Sequence, residues 1–146
     1  MLTRVLAAAV AGAVAFFLFG FLIYGLVLDP LVMKPAMNPE AAKLMNDPPM
    51  WAPLLMSNFV MAFLFAYIFD KWAAIRTFAG GLSAGALIYF LITLGMQLMF
   101  MAFMNMSNSL VPMIADVIGS AILGALVGGV VGMVLGMMNK REGSPA

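Results

Sequence analysis

A chain of 146 residues that is 65% hydrophobic and 9% charged, with net charge +1 and mean hydropathy +1.10, lies outside the range of water-soluble domains. The lack of cysteine and histidine removes disulfides, thiol nucleophiles, the commonest general base and the usual transition-metal ligands. The near-neutral charge supplies no basic surface, so nucleic acid is excluded as a partner.

At about 20 residues per crossing, the length accommodates four spanning helices and short connections. The predicted fold is all-α: one transmembrane domain over residues 1–146, built as a polytopic four-helix bundle.

The first helix is predicted over residues 4–28. It opens at Arg4 and stays free of charge from Val5 to Leu28. Ala13-Val14-Ala15 resembles a signal-peptide cleavage pattern, but the apolar run continues well past it, as a spanning helix requires. The connection that follows, residues 29–51, holds Pro30, Pro35, Pro39, Pro48 and Pro49 and is read as a loop. Inside it, Asn38-Pro39-Glu40 combines an N-cap, a first-position proline and a first-turn acid. That predicts a short interfacial helix to about Asn46, resting on the bilayer surface through Leu44, Met45, Met50 and Trp51.

Helices two, three and four are predicted over residues 52–69, 78–104 and 110–138, with a charged tail at 139–146. Asp70-Lys71-Trp72 reads as an interface signature. Four crossings put both termini on one side, together with Arg4, Lys71, Arg76, Lys140 and Arg141. The other side has only Lys34 and Lys43, so the positive-inside rule places the termini in the cytoplasm and the proline-rich loop outside.

Helix four carries a ridge of small or polar residues at every fourth position, Pro112, Asp116, Ser120, Gly124, Gly128, Gly132 and Gly136. Residues four apart share a helix face, and glycines there admit a close neighbour in lipid. Gly12 of helix one and Gly81 and Gly85 of helix three belong to the same packing class. Small residues gather in the cytoplasmic half, whereas Phe, Tyr and Met gather in the outer half. The bundle is therefore expected to be tight at one end and splayed at the other.

The splayed half also collects polar groups: Asn58, Thr93 and Asp116 at similar depth, with Tyr24 and Gln97 near the rim. These five are the candidate ligand-binding residues of an outward-facing cleft with apolar walls and few polar groups. Asp116 is the one acid well inside an apolar segment. It is either functional or a structural cross-link to Asn58, Thr93 or Tyr24.

Sixteen methionines suit Cu(I) by softness. At about 100° per residue, however, Met96, Met99 and Met106 share one face while Met101 and Met104 share another. The expectation is adaptable filling, with no metal site and no cofactor. No phosphate loop, dinucleotide fingerprint, nucleophile elbow or catalytic carboxylate pair occurs, and no enzyme activity is expected.

The runs AFFLFGFLIYG and AYIFDKWAAIRTFAGGLSAGALI and the stretch from Asp116 to GGVVGMVLG resemble a family of small bacterial inner-membrane proteins of Bacteroidetes type that carries only a domain-of-unknown-function label. The resemblance implies four helices and a multi-pass location in the inner membrane, and no substrate. Similar proteins have an acid before Leu-Met in helix three; this chain has Gln97, so no mechanism using two outer-half carboxylates is implied.

Two functions follow. One is a non-enzymatic membrane protein binding a lipid-like or other apolar small molecule in the outer cleft. The alternative is an accessory or self-assembling subunit, with a homo-oligomer or another membrane protein docked on the glycine ridge. A third reading, an ion or proton pathway through Asp116, has only that one deep ionisable group behind it.

Overall fold

The computed structural model describes residues 2–107 and 109–142, with side chains described as far as residue 140. The described chain is all-helical, with five elements: α1 (Leu2–Ala36), α2 (Pro39–Ala42), α3 (Trp51–Trp72), α4 (Phe78–Phe103) and α5 (Val111–Glu142). All but α2 contain a stretch long and apolar enough to cross a membrane. The chain is thus a helical bundle with the character of a multi-pass membrane protein.

The starts of the helices follow from local chemistry. Thr77 caps α4 by accepting a hydrogen bond from the Gly80 amide at 3.1 Å, and Asn38 caps α2 by accepting one from Glu40 at 3.2 Å. Pro53 and Pro112 fall in the first turns of α3 and α5, where a missing N–H leaves no acceptor unpaired.

Four boundaries differ from expectation by more than two residues, one of them the end of helix two, which runs on through Asp70-Lys71 to Trp72 instead of stopping at Phe69. Helix one does not stop at Leu28 but runs through Asp29-Pro30 to Ala36. From Phe21 to Met33 its backbone hydrogen bonds span five residues rather than four, with Pro30 inside the widened stretch. In an α-helix the proline ring meets the carbonyl four residues back; the wider turn accommodates it. The interfacial helix α2 is shorter than expected, ending at Ala42 before a turn, yet Leu44, Met45, Met50 and Trp51 are all exposed. At the far end, α5 continues past Met138 to Glu142. Residues 143–146 of the expected tail lie outside the described residues.

The helices pack in the order α3, α1, α5, α4, with α1 and α5 in the middle. One end of the bundle holds both ends of the described chain and the α3–α4 link; we name it the terminal end. The other, the loop end, holds the α1–α3 connection and the α4–α5 turn.

Packing in lipid gains little from the hydrophobic effect and depends on close van der Waals fit. The α4–α5 seam shows how that fit is reached. A Cβ added to Gly81 or Gly85 would strike the carbonyl of Gly128 or Gly124, and one on Gly128 would strike the carbonyl of Gly81. Further along, Gly132 faces the Thr77 carbonyl and Gly136 that of Arg76. Each four-residue step on α5 therefore meets α4 or its approach in the same chain. Gly12 serves the other seam, where a Cβ would meet Val131 and Ala62.

The core lies towards the terminal end. Ala8, Ala9, Ala62, Phe65, Ala66, Phe69, Val127, Val131 and Leu135 are wholly buried there. At mid-depth the rings of Phe16, Phe65 and Tyr89 converge from α1, α3 and α4, with centroids 5.3 to 6.1 Å apart. By contrast, no residue from Phe21 to Met33 is buried.

Candidate functional site

On the loop side of the aromatic rings, α5 turns Asp116 and Ser120 towards α1 and α4. Tyr24 of α1 donates a hydrogen bond to Asp116 Oδ1 at 2.7 Å, and its oxygen lies 2.7 Å from Ser120 Oγ. Tyrosine has one hydroxyl proton, so with that proton on Asp116 the serine is the donor of the second bond. Gln97 of α4 donates through Nε2 to Asp116 Oδ2. The carboxylate is thus held by a donor on each oxygen, one from each neighbouring helix. Its position needs no cation.

A carboxylate accepts only donors, so the Gln97 amide presents its NH2 to Asp116 and leaves its carbonyl oxygen for another partner. That residue borders a cavity of about 750 Å3 at the loop end. The walls are mainly apolar: Met33 from α1 and Met37 just past its end, Phe100 and Met101 from α4, Leu110 at the turn and Met113 from α5. Asn105, Ser107 and Ser109 stand at its polar edge.

The edge is pinned to the end of α1. The Asn38 amide donates to the Met106 carbonyl at 3.0 Å, and Ser107 Oγ donates to the Ala36 carbonyl at 2.9 Å. These bonds make the extended first helix one side of the cavity, a role closed to it had it ended at Leu28.

The five expected site residues therefore separate. Tyr24, Gln97 and Asp116 form one connected network, joined by Ser120, which the sequence placed on the packing ridge. Only Gln97 of the five borders the cavity; Asp116 lies behind it and positions it. Thr93 is buried one turn before Gln97 on the same face of α4. Asn58 is half-buried on α3, and its side chain makes no hydrogen bond among the described residues.

A second polar cluster, at the terminal end, is one that sequence reasoning missed. Arg4 Nη2 lies 2.8 Å from Asp70 Oδ1, and Arg76 Nη2 lies 3.6 Å from the same oxygen. Both guanidinium groups donate to Asn139 Oδ1, at 3.1 and 2.8 Å. The Asp70 side chain is completely buried, so these contacts tie α1, α3, the α3–α4 link and α5 together in a dry setting. In the sequence these groups read as separate interface charges. The available signal was an acid, Asp70, standing among bases on one predicted side.

No group of three or more acidic, histidine or cysteine side chains suited to a metal occurs among the described residues. No family model matches the chain, and neither a curated protein nor a solved structure does.

Proposed function

We propose that this protein is a non-enzymatic, multi-pass protein of the bacterial inner membrane that holds a small amphipathic molecule in its loop-end cavity. The termini lie in the cytoplasm in this reading, so the cavity faces outward. Membership of the small inner-membrane family suggested by its motifs belongs to the same reading.

The carrying observation is the cavity itself, with apolar walls, one oriented amide and a polar edge. This is the usual make-up of a small-molecule site. The Gln97 carbonyl, which has no hydrogen-bond partner among the described residues, favours a ligand with a hydroxyl or amine donor, and the methionine and phenylalanine walls favour an apolar body. The alternative, a partner docked on the glycine ridge, has less support, because that ridge is already spent on α4 within the chain.

Native mass spectrometry of gently extracted protein tests the reading. The wild type is expected to carry a defined lipid-like or quinone-like mass, lost in Gln97→Leu and weakened in Asp116→Asn. A ligand-free wild type, or a Gln97→Leu variant that retains the mass, overturns it.

A further inference from the structure

We propose that the loop-end cavity is also a thioether site for a soft monovalent cation, Cu(I), for which Ag(I) is a redox-inert probe. The inference rests on the cavity but not on the amphipathic ligand, and the test separates the two.

Six methionines border this one space: Met33 from α1, Met37 just past its end, Met101 from α4, Met104 and Met106 from the turn, and Met113 from α5. No single helix presents them as a ladder. The fold collects them by bringing the ends of three segments around a common volume, which helical periodicity does not foretell. Met101, Met104 and Met106 are 57%, 56% and 39% exposed, so these side chains are not locked into the core; what sets them apart from the exposed methionines elsewhere is that they border one shared volume. Three rotatable bonds per side chain let sulfurs from different helices converge on one centre.

The donor set selects the ion. Thioethers are soft and neutral, and they suit Cu(I). Among the described residues no cysteine, histidine, aspartate or glutamate borders the cavity, so Zn(II), Ca(II) and Mg(II) lack the anionic or imidazole ligands they require. The single charge of Cu(I) is the smallest for such a site to hold, and the Asp116 carboxylate stands directly behind Gln97. Copper enters and stays as Cu(I), so no electron is transferred.

The chain has neither cysteine nor histidine, so metal uptake by untagged protein reports thioethers directly. Wild-type protein in detergent is dialysed against Ag(I), and against Cu(I) kept reduced under nitrogen; bound metal is then measured with a competing chelator. About one ion per chain is expected, and the combined Met33→Leu, Met101→Leu and Met106→Leu variant should bind at least about tenfold more weakly, because leucine keeps the volume and removes the sulfur. A control variant, Met56→Leu with Met133→Leu and Met137→Leu, removes equally exposed methionines elsewhere and should bind as the wild type does.

Circular dichroism verifies that each variant is folded. No uptake by the wild type, full uptake by the cavity variant, or equal loss in the control overturns the proposal. Protein that takes up Ag(I) at this site but carries no small molecule supports it and sinks the amphipathic-ligand reading. Protein that carries the molecule but no Ag(I) does the reverse.

Discussion

The two ends of this bundle are built from the same four helices but obey different packing logic. At the terminal end, glycine and alanine bring backbones together, and four helices or links close over a buried ion pair. At the loop end, the same helices carry methionine and phenylalanine and part around a cavity of about 750 Å3. Side-chain size, graded along the helices, decides which end closes. In a solvent where apolar surface gains little from association, the tight end supplies the stability and the loose end is left open.

The strongest way to break that contrast is to force the tight end apart. Gly128→Leu places a side chain against the Gly81 carbonyl, with no flexible neighbour to yield. Little folded, monodisperse protein should be recovered on size-exclusion chromatography, so this variant reports the fold and not an assembly. Asp70→Asn comes next. It removes the buried carboxylate that Arg4 and Arg76 share, and breaking a buried pair costs about 3–5 kcal/mol; a large fall in thermal stability in detergent should follow.

Changes at the loop end should be milder. Tyr24→Phe removes the interhelical hydrogen bonds to Asp116 and Ser120, each worth about 1 kcal/mol or less in membrane proteins, and should lower the same melting temperature modestly. Gly95→Ala is the smallest: a Cβ there meets nothing within 4 Å, and replacing a helical glycine with alanine stabilises by about 0.4–1 kcal/mol. If Gly95→Ala instead destabilises as strongly as Gly85→Ala, the loop end is closely packed and the contrast fails.

The number of helices was legible because a span needs a long apolar run, and the sequence has four. The tight and loose halves were legible too, since the size of a side chain limits how closely two backbones approach. The end of α1 was not. Asp29-Pro30 looks like a stop, and only a shift to wider turns carries the helix past it, a change that residue identities do not announce. That shift mattered, because the extension forms one cavity wall.

Tyr24, Gln97 and Asp116 were legible as a shared layer, but which of them faced the opening was not. Depth follows from counting residues, whereas facing depends on how helices rotate against one another. The Arg4, Asp70, Arg76 and Asn139 cluster was hidden for a similar reason. Its members lie at four separate segment ends, and charges near a membrane surface read as solvated until the packing shows them buried.

The most direct test of an open loop end uses the chain's lack of cysteine. Gln97→Cys and Val127→Cys each introduce a single thiol, one on the cavity wall and one in the core, and a small water-soluble thiosulfonate reagent is applied to right-side-out and inside-out vesicles. The thiol at 97 lies six residues inside α4, about 9 Å from its end. It should react rapidly in right-side-out vesicles, while the thiol at 127 stays unmodified in both. Equal silence at both positions in both vesicle types would mean that water does not enter the loop end, and would contradict the account.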